Sequence, residues 1–180
     1  MKKIVLHACC APCASYPINK LIEDDYKPVV FFYNPNIYPV KEYEIRRNEL
    51  KNYCAKLGID FFEKDYDENE FLNATKGLEN EPEKGKRCIK CFELRLEKTA
   101  KKCVELGILN FTTTLTVSPH KISKDIFKVG DRIAKKYGLE FLKYDFKKNE
   151  GFKITQKIAR ELGLYKQTYC GCEYSIKAKN

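Results

Sequence analysis

The sequence predicts a single-domain α/β fold of three layers: a mostly parallel five-stranded sheet covered by helices on both faces. Two observations predict it. Short apolar runs alternate with segments of helical spacing five times along the chain, the pattern of parallel strands joined by crossover helices. The chain is 180 residues long with 43% hydrophobic residues, enough for one core of useful size and for one domain spanning 1–180.

The elements follow in order. Lys3 to Leu6 reads as a buried strand, and Pro12 to Asp25 as a helix with Ile18, Leu21 and Ile22 at helical spacing. Pro28 to Tyr33 is a second strand, and two prolines and two asparagines within Asn34–Pro39 make a loop. A helix over Glu42–Leu57 stops at Gly58. Ile59 to Tyr66 is a third strand, and Asp67 caps a helix running to about Leu78. Polar residues 79–87 deliver Cys88, from which a helix continues to Gly107; Asn110 to Val117 is a fourth strand. A helix over Ser123–Tyr137 ends at Gly138, Leu139 to Phe146 is a fifth strand, and a helix over Phe152–Leu162 leads into the tail. There is no internal repeat. The resulting order is Rossmann-like (HUP-like), and in such sheets ligands bind at the carboxyl ends of the strands, where the winding reverses. Residues 9–13, 34–39 and 118–121 all fall at carboxyl ends.

Nine cysteines dominate the chemistry. No apolar run approaches the length of a membrane helix, and the apolar run after Met1-Lys2-Lys3 is too short for a signal peptide, so a cytoplasmic protein is expected. In a reducing compartment such a cysteine count argues for metal or redox chemistry over a disulfide scaffold. Cys9, Cys10 and Cys13 occupy a strand-to-helix turn, where unpaired N–H groups of the first helical turn favour thiolates. Cys10–Cys13 and Cys88–Cys91 are two Cys-x-x-Cys pairs, together the donor set of a four-sulfur site, iron–sulfur or structural zinc. The surplus Cys9 at the same turn favours iron–sulfur. Being consecutive on an extended segment, Cys9 and Cys10 are expected to point apart and serve two centres. Cys170-Gly171-Cys172 allows a small strained disulfide, ligation of one metal, or two free thiols. Cys54 and Cys103 read as core residues, and His7 as a hydrogen-bonded core histidine. His120 lies in the rim loop, either solvated or touching substrate.

The net charge of +9 fits either a lysine-rich composition or an anionic partner such as RNA. Ser118 and Lys121 are candidates for phosphate or ribose, and Tyr165 and Tyr169 for base stacking. Neither a Gly-x-x-x-x-Gly-Lys-[Ser/Thr] loop nor the Ser-Gly-Gly-x-Asp loop of α/β ATP pyrophosphatases is present, which disfavours adenylation.

Several motifs together resemble one family. They are His7-Ala8-Cys9-Cys10-Ala11-Pro12-Cys13, Tyr33-Asn34-Pro35-Asn36-Ile37, Gly85-Lys86-Arg87-Cys88-Ile89-Lys90-Cys91, Phe111–Leu115 with Ser118-Pro119, Asp145-Phe146, and the run from Leu164 to Cys172. The chain resembles the cobalamin-independent epoxyqueuosine reductases, often called QueH, over nearly its whole length. The resemblance implies reduction of epoxyqueuosine to queuosine at the tRNA wobble position, with a [4Fe–4S] cluster, an adjacent mononuclear iron and an unidentified electron donor. It implies cluster ligation by Cys10, Cys88 and Cys91, and ligation of the second iron by Cys9 and Cys13. Cys9, Cys13, Cys170 and Cys172 are then the catalytic candidates, the last two as a redox-active pair. Asn34, Arg87, Arg95, Ser118, Lys121 and Tyr169 are the expected substrate and tRNA contacts, with Lys86 and Lys90 adding charge. Such chemistry is coherent, since removing an epoxide oxygen needs electrons and a Lewis acid. A different class, a non-catalytic iron–sulfur or zinc protein that binds RNA or carries electrons, stands as the alternative.

Overall fold

The strand that carries the first cysteines is also the centre of the molecule. In the computed structural model, which describes residues 1–177, β1 (Lys2–His7) pairs in parallel with β2 (Tyr26–Phe32) on one side and β4 (Asn110–Thr113) on the other. β3 (Phe61–Glu63) adds to β2 and β5 (Glu140–Phe141) to β4, again in parallel, giving the order β3-β2-β1-β4-β5. The sheet is therefore parallel throughout, and its winding reverses between β1 and β4.

Alternation along β1 feeds two cores. Ile4 and Leu6 pack with Ile18 and Leu21 of α1 (Ala11–Glu23) and Leu50 of α2 (Val40–Leu57). Val5 points the other way, into the layer of α4 (Lys86–Leu106) and α5 (Ser123–Tyr137), with Leu96, Ile126 and Phe111. Period-2 alternation on a strand buried on both faces places helices above and below. The long helices α2, α4 and α5 end at the expected glycines, Gly58, Gly107 and Gly138. α6 (Gly151–Glu161) lies against α1, and α3 (Glu68–Ala74) against α4.

Three strands are shorter than their sequence pattern. The expected fourth strand stops at Thr113, and Thr114–Val117 turn into a 3₁₀ helix. Thr113 Oγ1 accepts from the Leu115 N–H at 3.2 Å, the local side-chain bond that competes with a sheet ladder. The third strand shrinks to its central residues and the fifth to Glu140–Phe141 near its start, both at sheet edges with a pairing partner on one side only. α3 stops at Ala74 rather than near Leu78, and α7 (Glu173–Lys177) is a short helix that the sequence pattern does not announce. No helix among the described residues is long and apolar enough to cross a membrane.

Candidate metal centre

The carboxyl end of β1 lies at the switch point, the crevice where ligands bind in doubly wound sheets. His7 anchors it. Its ring is fully buried, with Nε2 bonded to the Tyr33 carbonyl at 3.2 Å and Nδ1 to Thr113 Oγ1 at 2.9 Å, so it ties β1 to the ends of both neighbours. Burial, with Arg95 nearby, lowers its pKa to about 3 and keeps the ring neutral. It is the core histidine the sequence suggested.

After His7 only the Ala8 N–H continues the ladder, to Phe31 O at 3.0 Å, and the chain bends at Cys9 before α1 begins. This bend overturns the expectation that Cys9 and Cys10 diverge. Strand alternation has already ended, and their sulfurs lie 3.8 Å apart. With Cys13, one turn into α1, the three Sγ atoms all fall within 4.8 Å of one another.

Such crowding has an electrostatic consequence. Hydrogen bonds from Cys10 and Cys13 pull the Cys9 thiol well below its usual pKa, with Arg95 and Lys121 adding to the effect against burial. Burial and its thiol neighbours push Cys10 well above the usual range. For Cys13 the bond with Cys10 is downward, but Cys9 and burial outweigh it and push the thiol up to about 12. Within the triad the negative charge is thus favoured at Cys9, with the two neighbouring thiols beside it. Deprotonating the other two needs a cation among them, as a coordinated metal provides. The soft, convergent, half-buried donor set fits iron–sulfur or zinc ligation.

Cys88 and Cys91 sit on the first two turns of α4, three residues apart. The Cys88 sulfur accepts the Lys84 N–H at 3.3 Å. Burial pushes the Cys88 thiol up, and the Cys91 thiol up to about 12. Arg95, one helical turn on from Cys91, is 2% exposed and reaches the Cys91 sulfur at 3.8 Å and Asn34 Oδ1 at 2.7 Å. Asn34 in turn donates to the Ala8 carbonyl at 2.9 Å. Asn34, expected at the substrate, thus has both ends of its amide bound inside the protein, joining α4 to the first cysteine turn. Arg87, expected to face phosphate, is likewise buried. Its Nη1 is bonded to the carbonyls of Leu78 and Glu79 at 3.1 and 3.0 Å, and its plane covers the Tyr174 ring. Both replace ladder or solvent partners for a loop without regular structure.

The third cysteine segment is held from α2. Arg46, with no exposed surface, bonds Glu42 through Nε at 2.7 Å and the carbonyls of Cys170 and Tyr169 through Nη1 and Nη2 at 3.2 Å each. Its guanidinium lies 5.3 Å from the Tyr169 ring centroid. The Tyr165 hydroxyl donates to Glu42 at 2.8 Å, the Tyr169 hydroxyl to the Tyr38 carbonyl, and the Tyr38 N–H to the Gly171 carbonyl at 2.8 Å. Both tyrosines considered for base stacking are thus bound in this tie, with one face of Tyr169 under Arg46. Nothing in the sequence points to Arg46, which reads as one more basic residue of a polar helix. All nine cysteines are free thiols, and burial raises the Cys172 thiol. Cys54 and Cys103 are in the core, each pushed up to about 12 by burial.

Two adjoining cavities open at this rim. The first, about 310 Å³, is walled by Cys88, Cys91, Cys170 and Cys172. The second, about 430 Å³, is walled by Cys9, Cys13, Gln167 and Ser118. Arg95, Lys121 and Cys170 line both and form the partition. Desolvation pulls the Lys121 pKa down, but Cys170, Cys9 and Cys13 raise it further, so its ammonium stays charged beside the sulfurs. Ser118 accepts the His120 N–H at 3.2 Å, and the His120 side chain is exposed at the cavity edge.

Known proteins resemble this chain in fold and in sequence. A chain from Methanocaldococcus jannaschii, described as a predicted subunit of tRNA methyltransferase, superposes with a TM-score of 0.60 over 89% of this chain and 75% of that one, at 13% identity, a likeness of fold. "Epoxyqueuosine reductase QueH" from Streptococcus pyogenes is 42% identical over 97% of this chain and 70% of its own. Its namesake from Acinetobacter baylyi is 40% identical over 99% and 82%. The one from Thermotoga maritima is 34% identical over 98% and 91%. The family model described as "Epoxyqueuosine reductase QueH" matches residues 4–178, and with these relatives it shows that the chain belongs to the epoxyqueuosine reductase QueH family.

Proposed function

We propose that the protein reduces epoxyqueuosine to queuosine at the wobble position of tRNA, in the cytoplasm where tRNA resides, using a [4Fe–4S] cluster and a neighbouring iron. The observation that carries this reading is the convergence of three thiols within 4.8 Å in the switch-point crevice of a chain from this family. Removing the epoxide oxygen as water consumes two electrons and two protons and leaves an alkene. Cys10, Cys88 and Cys91 would hold the cluster, and Cys9 and Cys13 the second iron. Cys88 and Cys91 wall one cavity while Cys9 and Cys13 wall the other, which fits two centres; Cys10 lines neither cavity and lies 3.8 Å from Cys9, so it would join the two. When bound, the two centres supply single electrons and a Lewis acid.

The chain's own groups prepare the site. Arg95 and Lys121 set positive charge beside the sulfurs in a partition shared by both cavities, which favours thiolates over thiols. Arg46 adds positive charge near Cys10 and Cys9 from the α2 side. Cys170, in the partition, and Cys172 would relay electrons from an external donor or protect the centre. The test is conversion of epoxyqueuosine in tRNA by anaerobic protein and a low-potential chemical reductant, read by mass analysis of the nucleosides. Loss of one oxygen is the expected result. A preparation with its full iron and sulfide that leaves the nucleoside unchanged would refute the proposal.

A further inference from the structure

The second cavity has a wall that the cysteine chemistry does not use. It is formed by the end of α6 and the segment that follows, through Arg160, Lys166 and Gln167. On the same helix Lys153 is paired with Glu150 at 2.6 Å and Lys157 lies 3.9 Å from Glu161. The exposed Arg160 and Lys166, which face the cavity, have no ion pair or side-chain hydrogen bond among the described residues. Gln167 spans the wall. Its Nε2 donates to the Cys13 sulfur at 3.5 Å, while its Oε1 is buried without a partner. A buried acceptor with no protein donor leaves a hydrogen-bond position open to a ligand or a water. The volume of about 430 Å³ lies in the range of pockets for small organic groups.

We propose that this cavity seats a single unstacked nucleotide, with Gln167 Oε1 accepting an N–H of the base and Arg160 and Lys166 holding the phosphates on either side. The proposal rests on the tRNA reading above and adds where and how the nucleotide is held. Enzymes acting on one base take it out of the stack, and loop nucleotides are the ones that can be splayed out. Phosphate contacts position, whereas contacts to the base edge specify. A base on Gln167 lies beside Cys13, next to the proposed reaction centre. Asn34, by contrast, acts from behind the wall, and Arg87 lines the first cavity instead.

The test is binding of an anticodon stem-loop RNA, unmodified at the wobble position, to metal-loaded protein, without turnover. Arg160→Gln with Lys166→Gln is expected to raise Kd about tenfold and to reduce the slope of log affinity against log salt by about 1.4, since each single-strand phosphate contact contributes about 0.7. Lys3→Gln with Lys27→Gln, at the amino ends of β1 and β2, is expected to stay within about twofold of the parent. Gln167→Leu should erase the preference for the intact loop over the same RNA made abasic at the wobble position. Equal weakening by both lysine-containing pairs, an unchanged salt slope, or an undiminished base preference in Gln167→Leu would each overturn the proposal. Because no step uses the epoxide, a failure of the reductase reading shows itself separately, in the nucleoside assay.

Discussion

The two cysteine turns at this rim are built by opposite means. The Cys9–Cys13 turn is fixed by the core: Ile4 through Ala8 have no exposed surface, and His7 bonds it to the ends of β2 and β4. The Cys170–Cys172 turn is held by polar contacts, to Arg46 of α2, itself paired with Glu42, and to the Tyr38 N–H just before that helix. A turn welded into the sheet keeps donor atoms in place for a metal, whereas a tie of a few polar contacts can be loosened without unfolding the domain. In the proposed function this difference fits ligation at the first turn and redox exchange at the tail.

The sharpest break of that comparison is metal content. Cys88→Ala or Cys91→Ala should cost the cluster's visible absorbance, its sulfide and all turnover. Cys9→Ala should keep absorbance and sulfide, lose roughly one iron and abolish reduction, because a single cluster uses at most four thiols. The convergence of all three sulfurs makes this a stringent test: full iron and retained activity in Cys9→Ala would reduce Cys9 to a bystander. Next in size, Cys170→Ser with Cys172→Ser should keep iron and sulfide but lose most turnover with an external donor. Loss of the cluster there would make the tail a ligand and dissolve the distinction.

The fold was legible because its signals are local and repeated: five apolar runs, glycine stops and turn-rich junctions. The cysteine motifs were legible because spacing alone limits their chemistry. What escaped were features created by tertiary approach. The Cys9–Cys10 convergence depends on a bend one residue past the strand. The burial of Asn34 and Arg87 depends on carbonyls left bare by neighbouring loops. Arg46 is one more basic residue of a polar helix until Tyr169 and Cys170, more than a hundred positions away, bring their carbonyls to accept from it.

Arg46 is where the two turns meet, and it ranks third. Arg46→Ala leaves the 7%-exposed Glu42 without its cation and strips two carbonyls of their donor. Breaking a buried pair in this way costs about 3–5 kcal/mol. Arg46→Lys keeps the charge but cannot reach Glu42 and both carbonyls as the guanidinium fork does. In Arg46→Lys we expect iron and sulfide unchanged, with alkylation of Cys170 and Cys172 accelerated several-fold in peptide-resolved mass analysis. Equal acceleration at Cys9 and Cys13 would show that Arg46 supports both turns alike.

The smallest expected effect is at Gly171, and it isolates the tail most cleanly. Its φ of +128° lies in a region that L side chains rarely adopt. A Cβ there would meet Ile37 Cγ1 at 3.2 Å, Arg46 Nη1 at 3.3 Å and Asn36 Nδ2 at 3.4 Å. These are tight but not prohibitive contacts, since a shift of a few tenths of an ångström relieves them. The conformational penalty, about 1–3 kcal/mol, therefore dominates. That strain can be released by moving the tail alone, because the Gly171 carbonyl and the Arg46 bonds are its main ties and none of them belongs to the sheet. Gly171→Ala should therefore lower the melting temperature little, leave iron and sulfide intact, and slow turnover by displacing Cys170 from the partition between the cavities and Cys172 from the wall of the first. If Gly171→Ala instead releases iron, the tail is coupled to the first turn as tightly as the sheet is; if turnover is unchanged, the position of the two tail sulfurs does not govern the rate.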